Sequence, residues 1–219
     1  MRFVLHCGGN AAHLQSRSAL ASADQASIAF YDAEAARYAE RAHGKKDNPR
    51  LAAFAKSLPA GGLVLDLGCG GGQDSLAFLE LGFDVVALDA SPRIAAEAER
   101  RTGLKVRIAR FDELDDQSTF DGIWASASLH HVPAAALADI FARINHALQH
   151  GGMLFASFKV GHIDRRDRFG GLYCEMSEKQ LRALVADPAL WRDVQIDHAK
   201  GSGYDNEPTN WLMLTARRA

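Results

Sequence analysis

The chain has 219 residues, 47% of them apolar and 24% charged, enough for one globular domain with its own core. Against 27 aspartates and glutamates stand 25 lysines and arginines, a formal charge of -2 that lacks the basic excess phosphate-backbone binding draws on, so nucleic acid is set aside as a partner. No stretch approaches the roughly 20 consecutive apolar residues of a membrane span, and Cys7, Cys69 and Cys174 form neither a CxxC pair nor a zinc spacing, so no membrane, disulfide or metal role is expected.

Residues 1–25 mix Gly, Ser, Ala, Asn and His without periodicity and are expected to be a poorly ordered leader; residues 26–219 are expected to form a single domain. The opening MRFVLHCGG has too short an apolar stretch for a secretory signal, and His6 stands where a small residue should precede Cys7, so a cytoplasmic setting is expected. From residue 26, Ile28, Phe30, Tyr31, Ala35 and Tyr38 recur at helical spacing, with Gly44 after the last turn. A second helix spans 49–58, bounded by Pro49 in its first turn and by Pro59 after it.

Strand-like runs then fall at 63–67, 84–88, 105–109, 121–125 and 152–158, alternating with helical stretches at 73–81, 92–101 and 134–148. A charged loop follows at 161–171, then a helix at 177–185 and two last strands at 191–196 and 211–215. Helix-length connections imply parallel pairing with right-handed crossovers, and the short link between the last two strands implies a closing antiparallel pair. The expectation is an α/β doubly wound sheet of seven strands, mostly parallel with a C-terminal antiparallel strand, and helices on both faces.

The chemistry concentrates in LVLDLGCGGGQDS, residues 63–75. A glycine-rich turn between first strand and first helix lets backbone N–H groups approach a ligand at the helix N-terminus. The spacing is GxGxG, and GxGxxG fails because Gln73 holds the sixth position. Asp66 precedes the turn, and a carboxylate there repels a pyrophosphate but attracts an ammonium, which favours a cationic ligand over a dinucleotide. Asp89, at the end of the second strand, is placed to accept hydrogen bonds from ribose hydroxyls.

With VLDLGCGGGQDS, VVALDAS and FDGIWASASLHHVP in place, the chain resembles the class I S-adenosylmethionine-dependent methyltransferases over about residues 28–215, and within them the small enzymes of the tellurite-resistance and quinone-biosynthesis type. The resemblance implies a Rossmann-like fold, S-adenosyl-L-methionine as cofactor and methyl transfer to a small-molecule acceptor by a monomer or homodimer. It places Asp66, Gly68, Cys69 and Gly70 at the methionine part of the cofactor, Asp89 at the ribose, and Ala90 and Ser91 beside the adenine. Phe111 would cap the adenine. Arg110 stands where many members carry an aspartate toward the adenine amine, with Asp112 as a replacement acceptor. Ala125 and Ser126 would lie near the sulfonium, and Tyr38 would act as an aromatic lid with Tyr31 as its partner.

Acceptor chemistry is expected from His131, or else His130, as a base near neutral pH; adjacent residues point in different directions, so one of the two faces the acceptor. Arg165, Arg166 or Arg168, with Tyr173, all after the fifth strand, are candidates to hold an anionic acceptor. A non-catalytic S-adenosylmethionine-binding regulatory module and an NAD-dependent oxidoreductase are the competing readings. Asp66 and the missing third glycine oppose the oxidoreductase.

Overall fold

The computed structural model describes residues 24–41, 48–162, 164–167, 170–203 and 207–219. The expected leader lies outside these residues apart from Asp24 and Gln25. The run Leu63–Leu67 forms β1 in the interior of a seven-stranded sheet, where a segment with apolar side chains on both faces must be covered from both sides. Strands β2 (Asp84–Asp89), β3 (Arg107–Ile108), β4 (Phe120–Ala125) and β5 (Leu148–Lys159) join it in parallel. A separate hairpin, β6 (Asp164–Arg166) with β7 (Leu172–Cys174), precedes the long final pair β8 (Trp191–Ser202) and β9 (Pro208–Arg218). The sheet order is β3-β2-β1-β4-β5-β9-β8, with β9 antiparallel to both of its neighbours. The expected mostly parallel sheet with one C-terminal antiparallel strand is what forms.

Alternation along each strand builds two cores. Leu65, Ile123 and Leu154 point to one face and meet Ile140 and Phe141 of α6 (Leu137–Ala147) and Leu181 of α7 (Glu178–Leu184). Val64, Trp124 and Phe155 point to the other and meet Leu51 and Phe54 of α3 (Pro49–Lys56) and Phe78 of α4 (Gln73–Glu80). Trp124 stacks on Phe155 at 3.9 Å between centroids, while Ala95 and Ala98 of α5 (Pro92–Thr102) cover the β2 side.

Several elements differ from the sequence expectation. The first helix is two, α1 (Gln25–Ala33) and α2 (Ala35–Arg41), parted at Glu34, whose backbone leaves the helical region. Tyr31 and Tyr38, which seven residues of straight helix would space about 10 Å apart along the axis, meet edge to face at 5.3 Å. The expected third strand shrinks to two residues, and the last two strands grow to 12 and 11. The charged loop carries β6, three exposed residues that form a strand only by pairing with the buried β7. Among the described residues no helix is long and apolar enough to cross a membrane.

Candidate active site

The strand order reverses between β1 and β4, and open α/β sheets bind ligands at the carboxyl edge beside that point. A cavity opens there. Its lining includes Gly68 and Gly70 after β1, Asp89 to Ser91 at the end of β2, Arg110 and Phe111 after β3, and Ala127, Ser128 and His131 after β4. Helix α1 closes it with Ser27, Ile28 and Tyr31, and α2 adds Tyr38.

The glycine loop is locked from within. The Gly68 and Cys69 N–H groups donate to the Leu88 carbonyl at 2.8 and 2.9 Å, and the Gly70 N–H donates to Asp89 Oδ2 at 3.0 Å. Gly68 has φ +80°, and a β-carbon there would sit 2.5 Å from Ser128 Cβ. Gly70, at φ +53°, has the Tyr38 ring 3.0 Å from where its β-carbon would be. The glycines therefore serve two close approaches, to Ser128 and to the aromatic lid.

Acidic groups gather beneath this loop. Asp66 is buried with a 2.6 Å hydrogen bond from Ser75 Oγ; burial, followed by the neighbouring Asp74, pushes its carboxyl up to about 8. Asp89 accepts from the Ser91 and Gly70 N–H groups, yet burial still raises its pKa. Asp74 accepts from Trp124 Nε1 at 2.7 Å. Asp74 and Asp89 thus help to hold the Asp66 proton, an acidic cluster in which a cationic ligand would favour the ionised form.

At the opposite end, Tyr31 Oη lies 3.0 Å from His131 Nε2, and His131 Nδ1 lies 2.7 Å from the Leu172 carbonyl on β7. Burial first, then Lys159, lowers the His131 pKa to about 4, so the ring is neutral at physiological pH. The same β7 backbone holds the lid: the Leu172 N–H donates to Ser27 Oγ at 2.9 Å. Asp24, at the start of α1, receives both terminal nitrogens of Arg166 at 3.0 and 2.7 Å. Near the end of α1, Asp32 accepts from Ser91 Oγ and the Arg93 N–H, both at 2.9 Å. Helix α1 is thus strapped across the cavity at both ends.

Comparison with known proteins converges on one family. Residues 64–152 match the model of a methyltransferase domain. Over 120 residues the chain is 38% identical to a ubiquinone biosynthesis O-methyltransferase of Xylella fastidiosa, covering 50% of this chain and 48% of that protein. The chain spans about half the length of the curated relatives it matches. Over the matched stretch the chain is a relative of the S-adenosylmethionine-dependent methyltransferases. The crystal structure of a Burkholderia thailandensis 1,6-didemethyltoxoflavin-N1-methyltransferase, with its substrate and S-adenosylhomocysteine bound, is 25% identical and covers 87% of this chain and 88% of that one at a TM-score of 0.62. TehB from Haemophilus influenzae, 16% identical, shares the fold at a TM-score of 0.65 over 87% of this chain and 67% of that one.

The structure places some of the expected residues on this cavity and withdraws others. Tyr38, Gly68, Gly70, Asp89, Ala90, Ser91, Phe111 and His131 line it. Asp66 lies under the loop, and the buried Cys69 thiol faces the Gly70 carbonyl. Ala125 is sealed between β1 and β5; the chain turns at Ala127, which takes φ +51°, so Ala127 and Ser128 replace Ala125 and Ser126 at the carboxyl edge. Asp112 is no spare acceptor, because Arg110 grips both of its oxygens at 2.9 and 3.2 Å, and it is Arg110 that lines the cavity.

Residues offered for the acceptor are also reassigned. His130 is buried, stacking on Tyr173 at 5.1 Å instead of facing the cavity. Arg165 pairs with Glu175, and Tyr173 is buried beneath the Lys159 ammonium at 3.8 Å from its ring. Arg168 lies outside the described residues. Arg166, the third arginine offered for the acceptor, holds Asp24 instead. Sequence reasoning missed Asp24 and Ser27, which carry no motif; only the helical register of Tyr31 and Tyr38 hinted that α1 faced the site.

Proposed function

We propose that this methyltransferase domain transfers the methyl group of S-adenosyl-L-methionine to a small-molecule acceptor. The observation that carries the reading is the cluster of acidic side chains, buried Asp66 with half-buried Asp74 and Asp89, at the glycine loop of a cavity whose far end holds a neutral imidazole. When bound, the cofactor supplies an electrophilic methyl on a cationic sulfur. Asp89 retains acceptor capacity toward a ribose, and Phe111, Ile94 and Arg110 would flank the adenine. Asp66 would act on the ammonium through the field it sets across the loop.

The residues present fit that group better than a dinucleotide, whose pyrophosphate the same carboxylates would repel. Much of the rate would come from holding the acceptor and methyl in attack geometry with water excluded, which the α1 strap supports. The O- and N-methylating relatives accord with a heteroatom acceptor. A cytoplasmic setting, action as a monomer or homodimer and no nucleic-acid partner accord with the near-neutral charge.

Calorimetry with S-adenosylhomocysteine and NAD tests the cofactor, and transfer of labelled methyl to an acceptor panel tests the activity. Binding of S-adenosylhomocysteine with turnover is expected. Tight binding without turnover on any acceptor would instead identify a regulatory module, and preference for NAD would overturn the reading.

A further inference from the structure

We propose that Tyr31 is a catalytic residue of this site and that its acceptor is a neutral compound bearing an O–H or N–H group, whose proton leaves through the Tyr31 hydroxyl to His131. The inference rests on the methyl-transfer reading above and names its acceptor class.

Hydrogen-bond geometry fixes the direction of the relay. A carbonyl only accepts, so the Leu172 oxygen places the hydrogen of the neutral His131 ring on Nδ1 and leaves Nε2 as a lone pair. The Tyr31 hydroxyl, 3.0 Å away, is then a donor to Nε2, and with Tyr173 also hydrogen-bonded to it, it keeps one oxygen lone pair for an incoming hydrogen. His130 Nε2, also 3.0 Å from that nitrogen, carries its ring hydrogen and is a second donor that competes for the same single lone pair, which leaves His130 Nδ1 buried with no hydrogen-bond partner among the described residues. Tyr31 bridges the two halves of the site: its ring meets Tyr38, which lies on Gly70, at 5.3 Å, and His131 at 5.1 Å.

Charge argues for the neutral acceptor. Arg166 is committed to Asp24, Arg165 to Glu175 and Arg110 to Asp112. Lys159 is buried with its ammonium over the Tyr173 ring. An anion at this end would face Asp24, a phenol and an uncharged imidazole. The groups acting on His131 are Tyr31 and Asp24 from α1, the adjacent His130, Lys159 from β5, Tyr173 from β7, and Asp167. Burial and Lys159 outweigh the two aspartates, and His131 stays unprotonated down to about pH 4.

So weak a base suits a late proton transfer. The acceptor's lone pair forms the bond to the methyl carbon as the carbon–sulfur bond breaks with its electrons going to sulfur, and the acceptor's own proton becomes strongly acidic. It passes to the Tyr31 oxygen while the Tyr31 proton passes to His131 Nε2, and the weakly basic imidazole returns it to water.

The test uses the full chain with labelled S-adenosylmethionine and catechol, benzimidazole and benzoate as acceptors. Methylation of catechol or benzimidazole and not of benzoate is expected. Tyr31→Phe should lower kcat by about 10²-fold while the S-adenosylhomocysteine Kd stays within about threefold. Nitrogen-15 spectra of His131 in the S-adenosylhomocysteine complex should show a neutral ring with hydrogen on Nδ1 through pH 5. Undiminished turnover in Tyr31→Phe, preference for benzoate, hydrogen on Nε2, or binding of S-adenosylhomocysteine with no acceptor methylated would each overturn the relay and its acceptor class. Failure of the wild-type chain to bind S-adenosylhomocysteine would instead overturn the cofactor reading beneath it.

Discussion

Replacing Asp66 by Asn should make this protein more stable and, above pH 8, a worse cofactor binder. Unfolded, the carboxyl titrates near 3.8; folded, burial and Asp74 hold it at about 8. Below the lower value both states carry the proton and stability is unaffected. Between the two, the folded state keeps a proton the unfolded state has lost, and each pH unit removes about 1.4 kcal/mol of stability. At pH 7 the loss has reached about 4 kcal/mol, which Asn abolishes while its carbonyl can still accept from Ser75. In a chain of this size that corresponds to a Tm increase of about 8–16 °C at full effect. Melting followed by circular dichroism from pH 4 to 8 should show the wild-type Tm falling with pH and a flat profile for Asp66→Asn, with S-adenosylhomocysteine affinity little changed at pH 6 and reduced above pH 8, where the wild-type carboxyl is ionised and Asn carries no charge. A variant that melts lower than wild type at every pH, with the pH slope intact, would refute the reasoning.

The lid should loosen in acid: Arg166 holds the Asp24 carboxyl down at about 2, so that pair's stabilisation is present above pH 4 and is lost as pH falls toward 2. Because Arg166 is half exposed, Arg166→Ala should change global stability little, but hydrogen exchange in α1 should accelerate. Unchanged exchange there would remove the latch. Gly68→Ala should abolish S-adenosylhomocysteine binding by calorimetry, since its β-carbon would collide with Ser128 at 2.5 Å and φ is +80°. Retained affinity would mean the loop yields. Burial pushes the Cys69 thiol far up, so iodoacetamide should leave Cys69 unmodified at pH 8 in peptide mapping of the native protein; rapid labelling would contradict this.

The parallel strands and the glycine loop were legible because each is a local pattern: an apolar run, a turn, then helical periodicity. Gly68, Gly70 and Asp89 follow from those patterns and line the cavity, as does Phe111, which the family resemblance supplied. The acceptor end was not legible in the same way. Arg165 and Arg166 are adjacent and chemically alike, and only the fold decides that one meets Glu175 and the other reaches 142 residues back to Asp24. Likewise the histidine pair divides because Leu172, on a hairpin with no strand signature, offers its carbonyl to His131. The shift from Ala125 and Ser126 to Ala127 and Ser128 depends on one residue adopting a positive φ that Ala rarely takes.

The position of β9 has a consequence for biogenesis. Residues 208–218 zip between β5 and β8, hydrogen-bonded to both. On the ribosome every other strand of the sheet emerges earlier, so a growing chain displays the β5 margin, rich in Phe and Leu, as an open template for pairing with other polypeptides until residues 208–218 appear. A stop codon that removes only this segment should therefore yield insoluble product, even though the glycine loop, the strap helix and both histidines have already been translated.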